Sequence, residues 1–205
     1  MDTREAKEIN RYIILIPHRD SLRPLEEYRR KLFASVFCGA HAFPTAAPVA
    51  RVSRPFGRKE LKELAGNIRE LTREKDGKIL GSGLKSLSLD NEFLRNSTTK
   101  ESRTALLGIL LDLSLNESLF PPSTRGKILK IFPSPVLCAA LVDPGFDPGG
   151  TDSPGDEPIY KEAPAISFRA ASLANLAIRP IGGGDPDYSF EWRISPPVWL
   201  PRKPG

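Results

Sequence analysis

Histidine and cysteine are scarce in this 205-residue chain: two of each, with a single methionine. No histidine follows His41, so a mechanism needing two facing imidazoles would have to draw on His18 and His41 alone. Cys38 and Cys138 have neither CxxC spacing nor a local histidine partner, which argues against a structural zinc site. Set in Val36-Phe37-Cys38 and Val136-Leu137-Cys138, they read as buried thiols of a reducing compartment, with a disulfide as the alternative. Long apolar runs are also missing. Residues 12–17 and 105–113 are too short to span a bilayer, and residues 1–11 carry mixed charge instead of a signal peptide's apolar segment. The expectation is a cytoplasmic protein without membrane contact, cofactor or metal.

What is present is ordinary for a globular chain: 40% hydrophobic and 27% charged residues, enough for one large domain or two small lobes. The net charge of +5 is uneven. Residues 1–103 hold 21 Lys and Arg against 14 Asp and Glu, whereas residues 104–205 hold 9 against 11. A basic first half suits phosphate or RNA; solvated helix faces are the competing reading.

Residues 11–17, ended by Pro17, form a continuous Ile-rich run and read as a buried central strand. Asp20 or Ser21 can cap the following helix, with Pro24 in its first turn and Leu25, Tyr28, Leu32, Phe33 and Val36 on one face. Residues 58–75 give the clearest helix, with Leu61, Leu64, Ala65, Ile68 and Leu71 as its buried stripe and Asp76-Gly77 as its stop. Residues 78–89 read as one or two strands. Residues 105–113 fit a buried strand or a short helix equally, and a short helix is expected around residues 125–132. Residues 143–158, dense in Gly, Pro and Asp, read as a mobile surface loop. Residues 165–181 and 188–194 flank Gly182-Gly183-Gly184-Asp185 as a hairpin; no helix or Lys-Ser/Thr follows to make those glycines a phosphate loop. Residues 198–201 are expected to anchor the end of the chain against the core.

Two segments echo each other: Ala47-Pro48-Val49-Ala50-Arg51-Val52 and Ser134-Pro135-Val136-Leu137-Cys138-Ala139, each a Pro-Val entry into a small buried strand. One copy per half suggests two related lobes. With the opening strand, the two helices and the closing hairpin, the chain resembles in pattern the LigT-like, or 2H phosphoesterase, superfamily. That superfamily includes RNA 2′,3′-cyclic phosphodiesterases and proteins called 2′-5′ RNA ligases. Its two His-x-Thr/Ser motifs supply a general base, a general acid and phosphate-holding hydroxyls. Here Val49 and Val136 stand where the resemblance implies histidines, and Arg51 and Cys138 where it implies hydroxyls. Valine moves no proton, so the resemblance implies a degenerate member.

The expected fold is α+β: a single bilobal domain over residues 1–205, with pseudo-symmetric lobes at roughly 11–103 and 104–205. Each lobe is an antiparallel sheet with outer helices, and the two enclose a central cleft. The expected function is a non-catalytic protein whose cleft binds a phosphorylated ligand such as a nucleotide or an RNA end, through Arg51, Arg19 and His18. Arg51 serves as an anion site only if it projects into the cleft from its strand, where Val49 and Arg51 share one face by alternation. Two alternatives stand beside it. One is an active phosphodiesterase using relocated residues such as His18 and His41; the other is a scaffold whose cleft is filled by apolar side chains.

Overall fold

The computed structural model describes residues 9–35, 44–88, 105–142, 164–180 and 190–200. Cys38, His41, the 143–158 loop and the Gly182–Gly184 turn lie outside them. The first elements are β1 (Asn10–Pro17), α1 (Arg23–Ser35), β2 (Ala47–Val52), α2 (Arg58–Leu71) and β3 (Ile79–Ser88). There follow β4 (Ala105–Leu111), β5 (Ile128–Ile131), β6 (Val136–Val142), β7 (Ile166–Phe168), β8 (Ala171–Pro180), β9 (Phe190–Ile194) and β10 (Val198–Trp199). The class is α+β, dominated by two antiparallel sheets. A six-stranded sheet runs β10-β8-β1-β2-β5, with β9 also on β8; a four-stranded sheet runs β6-β4-β3-β7. Both sheets take strands from either side of residue 103.

The position of β1 between β8 and β2 explains its unbroken apolar run, because both of its faces are covered. Ile13 and Leu15 join a large cluster with α1 residues Leu25 and Tyr28 and α2 residues Leu61, Leu64, Ala65 and Ile68. Tyr12 and Ile14 face the other way. They join a smaller cluster in which Ala174, Leu176 and Ile178 of the same sheet meet Leu106, Val136 and Cys138 of the four-stranded sheet. This second cluster joins the two sheets without any helix residue, whereas the large one takes in Leu107, Ile109, Leu137 and Phe168 of the four-stranded sheet as well as the helices.

Four local readings change. The helix expected over residues 58–75 ends at Leu71, which is exposed and so drops out of the buried stripe, and residues 73–75 form a 3-10 turn. The N-cap expected at Asp20 or Ser21 is replaced by a 3-10 turn, Arg19–Ser21, and His18 Nδ1 accepts a bond from the Asp20 N–H at 3.4 Å. The helix expected at residues 125–132 is instead a 3-10 turn, Pro122–Lys127, followed by β5. Gly126 and the β-branched Ile128 and Ile131 disfavour a helix there, and the edge of β2 offers a ladder: Ala50 pairs with Ile131 and Arg51 with Lys130. The run at 165–181 breaks after Phe168, so β7 lies in one sheet and β8 in the other. Residues 105–113, open between strand and helix, resolve as β4, and the β8–β9 pairing gives the expected hairpin. Of the segment expected to anchor against the core, Val198 and Leu200 are buried and Trp199 is exposed.

Glu60 ties α2 to the turn that delivers β5. Its carboxylate accepts from the Gly57 N–H at 2.6 Å and from Lys127 Nζ at 2.7 and 2.8 Å. Burial works against its charge, but Lys127, the Gly57 N–H and Ser123 together outweigh that and hold its pKa below the ordinary value. A carboxylate with a lowered folded-state pKa stabilises the fold above its unfolded pKa, and this contribution is lost as the pH falls through the lowered value. Glu60→Gln should therefore lower the urea midpoint at pH 7 and leave the gap to wild type much smaller near pH 3. An undiminished gap at acid pH would show that the ion pair is not its source.

Candidate functional site

The two Pro-Val strands do approach each other, one from each sheet: Cys138 N–H donates to the Ala46 carbonyl at 3.1 Å. Their side chains do not form one symmetric pair of positions. A bulge shifts the β1–β2 register between Ile13 and Ile14, so Ile13 pairs with Ala50 and Ile14 with Pro48, leaving Val49 as the extra residue. Val49, fully buried, consequently lies with Ala50 and Val52 in the large helix-side cluster. Arg51 pairs with Tyr12 and so shares its inter-sheet face. The simple alternation that put Val49 and Arg51 on one face is corrected by that single bulge. Val136 and Cys138 also face the inter-sheet cluster and are 0% and 1% exposed.

Neither valine can transfer a proton, and the Cys138 thiol is buried, with its sulfur 3.8 Å from the Ala140 carbonyl. Among the described residues no three His, Cys, Asp or Glu gather as metal ligands, and no helix is long and apolar enough to cross a membrane.

Polar chemistry collects instead at the rim of the inter-sheet cluster. Arg51, half-buried, donates from Nη2 to Asn10 Oδ1 at 3.1 Å. Asn10 is itself buried on β1, so the amide fixes where the guanidinium points. Directly opposite Arg51 in the ladder is Lys130, whose ammonium lies 5.7 Å from the Phe132 ring centre. Phe132 stacks on Tyr12 at 6.4 Å. Arg51 and Lys130 are therefore cross-strand neighbours on one face, with Lys130 over the Phe132 ring.

His18 and Arg19 are not part of this group. They lie beyond the other end of β1, with His18 six residues from Tyr12, about 20 Å at strand rise. His18 Nδ1 is 3.2 Å from Asp20 Oδ2, its ring lies 6.0 Å from that of Trp199, and Arg19 is exposed. Sequence reasoning missed Asn10, Tyr12 and Lys130 as neighbours of Arg51. The available signal was the alternation of β1, which places Asn10, Tyr12 and Ile14 on one face. No family model, curated protein or solved structure matches this chain.

Proposed function

We propose that this is a non-catalytic protein of the 2H phosphoesterase-like type, with two lobes in pseudo-symmetric relation around a cleft and a phosphorylated ligand held at its rim. The observation that carries the reading is the Arg51–Lys130 pair on the inter-sheet face, with the guanidinium oriented by Asn10. Arg51 offers a planar fork to two phosphate oxygens and Lys130 a point charge beside it. The ligand contacts are Arg51 and Lys130, with buried Asn10 orienting the guanidinium; His18 and Arg19, at the far end of β1, are outside the site. Buried valines at both motif positions support the absence of proton transfer.

Thermal-shift titration with inorganic phosphate and with nucleoside monophosphates tests the reading. Stabilisation should grow with ligand concentration, and Arg51→Ala should weaken apparent affinity by about tenfold or more, the worth of a charge-assisted pair. Incubation with a 2′,3′-cyclic nucleotide should give no turnover. Robust hydrolysis that disappears in His18→Ala would overturn the non-catalytic reading. Absence of stabilisation by every phosphate compound would favour a scaffold, a reading supported by the packed, buried cluster between the sheets.

A further inference from the structure

The six-stranded sheet ends at β5, which among the described residues pairs with β2 alone. An edge strand with regularly spaced N–H and C=O groups can add a strand from another copy. The β5 side chains favour this, since Ile128, Leu129, Ile131 and the following Phe132 are apolar and Leu129 is 59% exposed. The β5 backbone does not. Lys127 C=O accepts from the Ser53 N–H at 2.8 Å, and Phe132 N–H donates to the Val49 carbonyl at 3.0 Å, so both point into β2. Residues 127 and 132 stand five positions apart, and regular alternation would send them to opposite edges. The register gives the reason: Arg51 pairs with Lys130 and Val52 with Ile128, which leaves Leu129 as an extra residue. The outward-facing residues are therefore Ile128 and Ile131, three apart where a ladder repeats every second residue. Both ends of this edge are also closed. Ile128 N–H donates to the Arg125 carbonyl in the preceding 3-10 turn. Pro133, the next outward position, has no N–H, and its carbonyl accepts from the Leu115 N–H at 2.8 Å.

We infer that β5 is closed to strand addition by a second copy of this chain, with Leu129 and Lys130 as the residues that close it. Leu129 breaks the outward repeat. Lys130 acts against the register that would otherwise form. Without Leu129, two β5 strands could pair antiparallel about a two-fold axis, with Ile128 of each copy opposite Ile131 of the other. That register puts the two copies of Lys130 directly opposite each other on one face, where like charges oppose pairing. Lys130 lies over the Phe132 ring, 5.7 Å from its centre, which holds the ammonium on that face. Neither role depends on the phosphate reading.

Sedimentation equilibrium reads the state of this edge. Wild type should remain monomeric as its concentration rises. A variant lacking Leu129 and carrying Lys130→Val should show a mass that climbs with concentration toward twice the monomer's. Its ladder to β2 keeps the pairings of Arg51 and Val52, so its urea midpoint should stay near that of wild type. Deletion of Leu129 alone should produce association only when high salt screens the lysines, and it covers the case in which the combined variant folds poorly. Adding Ile131→Pro removes an outward N–H that the bonds to β2 do not use, and should return the associating variant to a monomer. A folded combined variant that stays monomeric would overturn the inference, as would association that survives Ile131→Pro. Wild-type dimers abolished by Ile131→Pro would overturn it too, by showing that the edge already accepts a second copy.

Discussion

Replacing Gly108 by alanine should cost about 3 kcal/mol or more of folding stability, at the upper end of overpacking effects. A Cβ at that position would stand 2.0 Å from the Leu137 carbonyl oxygen, 2.7 Å from its carbon and 2.9 Å from Val136 Cγ1. The first two are backbone atoms of β6, so relief means moving a strand and not a rotamer. That strand is held on β4 by a ladder running from Ala105–Val142 to Leu110–Val136, with an irregularity at Leu107 and Gly108. It also carries the bond to Ala46 that joins the two sheets. Gly66→Ala gives the opposite sign within the same protein. Gly66 lies in α2, where an added methyl would meet nothing within 4 Å, and an alanine there should add about 0.5–1 kcal/mol through helix propensity. Urea unfolding of both variants reads the contrast. A Gly108→Ala midpoint equal to wild type would show that β4 and β6 can separate at little cost.

The parts of this fold that could be read from sequence are those whose signal is local. β1 announces itself because burial on both faces removes alternation and leaves an unbroken apolar run. α2 announces itself because a single buried face imposes a period of 3.6. The helix itself stops at Leu71, and the 3-10 turn after it, Arg73–Lys75, is ended by Asp76 in a left-handed conformation with Gly77 following at φ +68°. β5 was not legible. Ile128, Leu129, Lys130 and Ile131 suit a helix as well as a strand by pattern, and the deciding interaction is with β2, far away in sequence.

The same limit applies to the site. Arg51 stood out as an anion contact, and whether it faced the cleft depended on a bulge that arises from pairing with β1. No property of residues 47–52 alone shows that Val49 is the extra residue. Lys130 was hidden in a segment read as helix, and its place beside Arg51 comes only from the pairing of β5 with β2. Conversely, His18 and Arg19 look close to Arg51 by residue type, as a histidine and an arginine emerging from a central strand. Strand geometry separates them, because β1 presents its two ends to different surroundings.

Placing histidine at both Val49 and Val136 should not create a phosphodiesterase, and it should bring the protein close to unfolding. Val49 lies in the helix-side cluster and Val136 in the inter-sheet cluster, each with no exposed surface. An imidazole at either place loses its water without gaining a partner, at about 1–3 kcal/mol each. Its larger volume adds overpacking strain of about 1–3 kcal/mol. The two positions belong to separate clusters, so the losses should roughly add, reaching about 4 kcal/mol or more in the double variant. That is comparable to the whole stability of many domains of this size. Single variants read the cost position by position in urea, and a 2′,3′-cyclic nucleotide assay on whichever remain folded reads the chemistry. No turnover is expected even from a folded double variant, because Val49 and Val136 pack into separate clusters and neither position has exposed surface from which an imidazole could reach a phosphate. Measurable hydrolysis by such a variant would place both positions on one cleft and overturn the separation that the bulge at Ile13 and Ile14 produces.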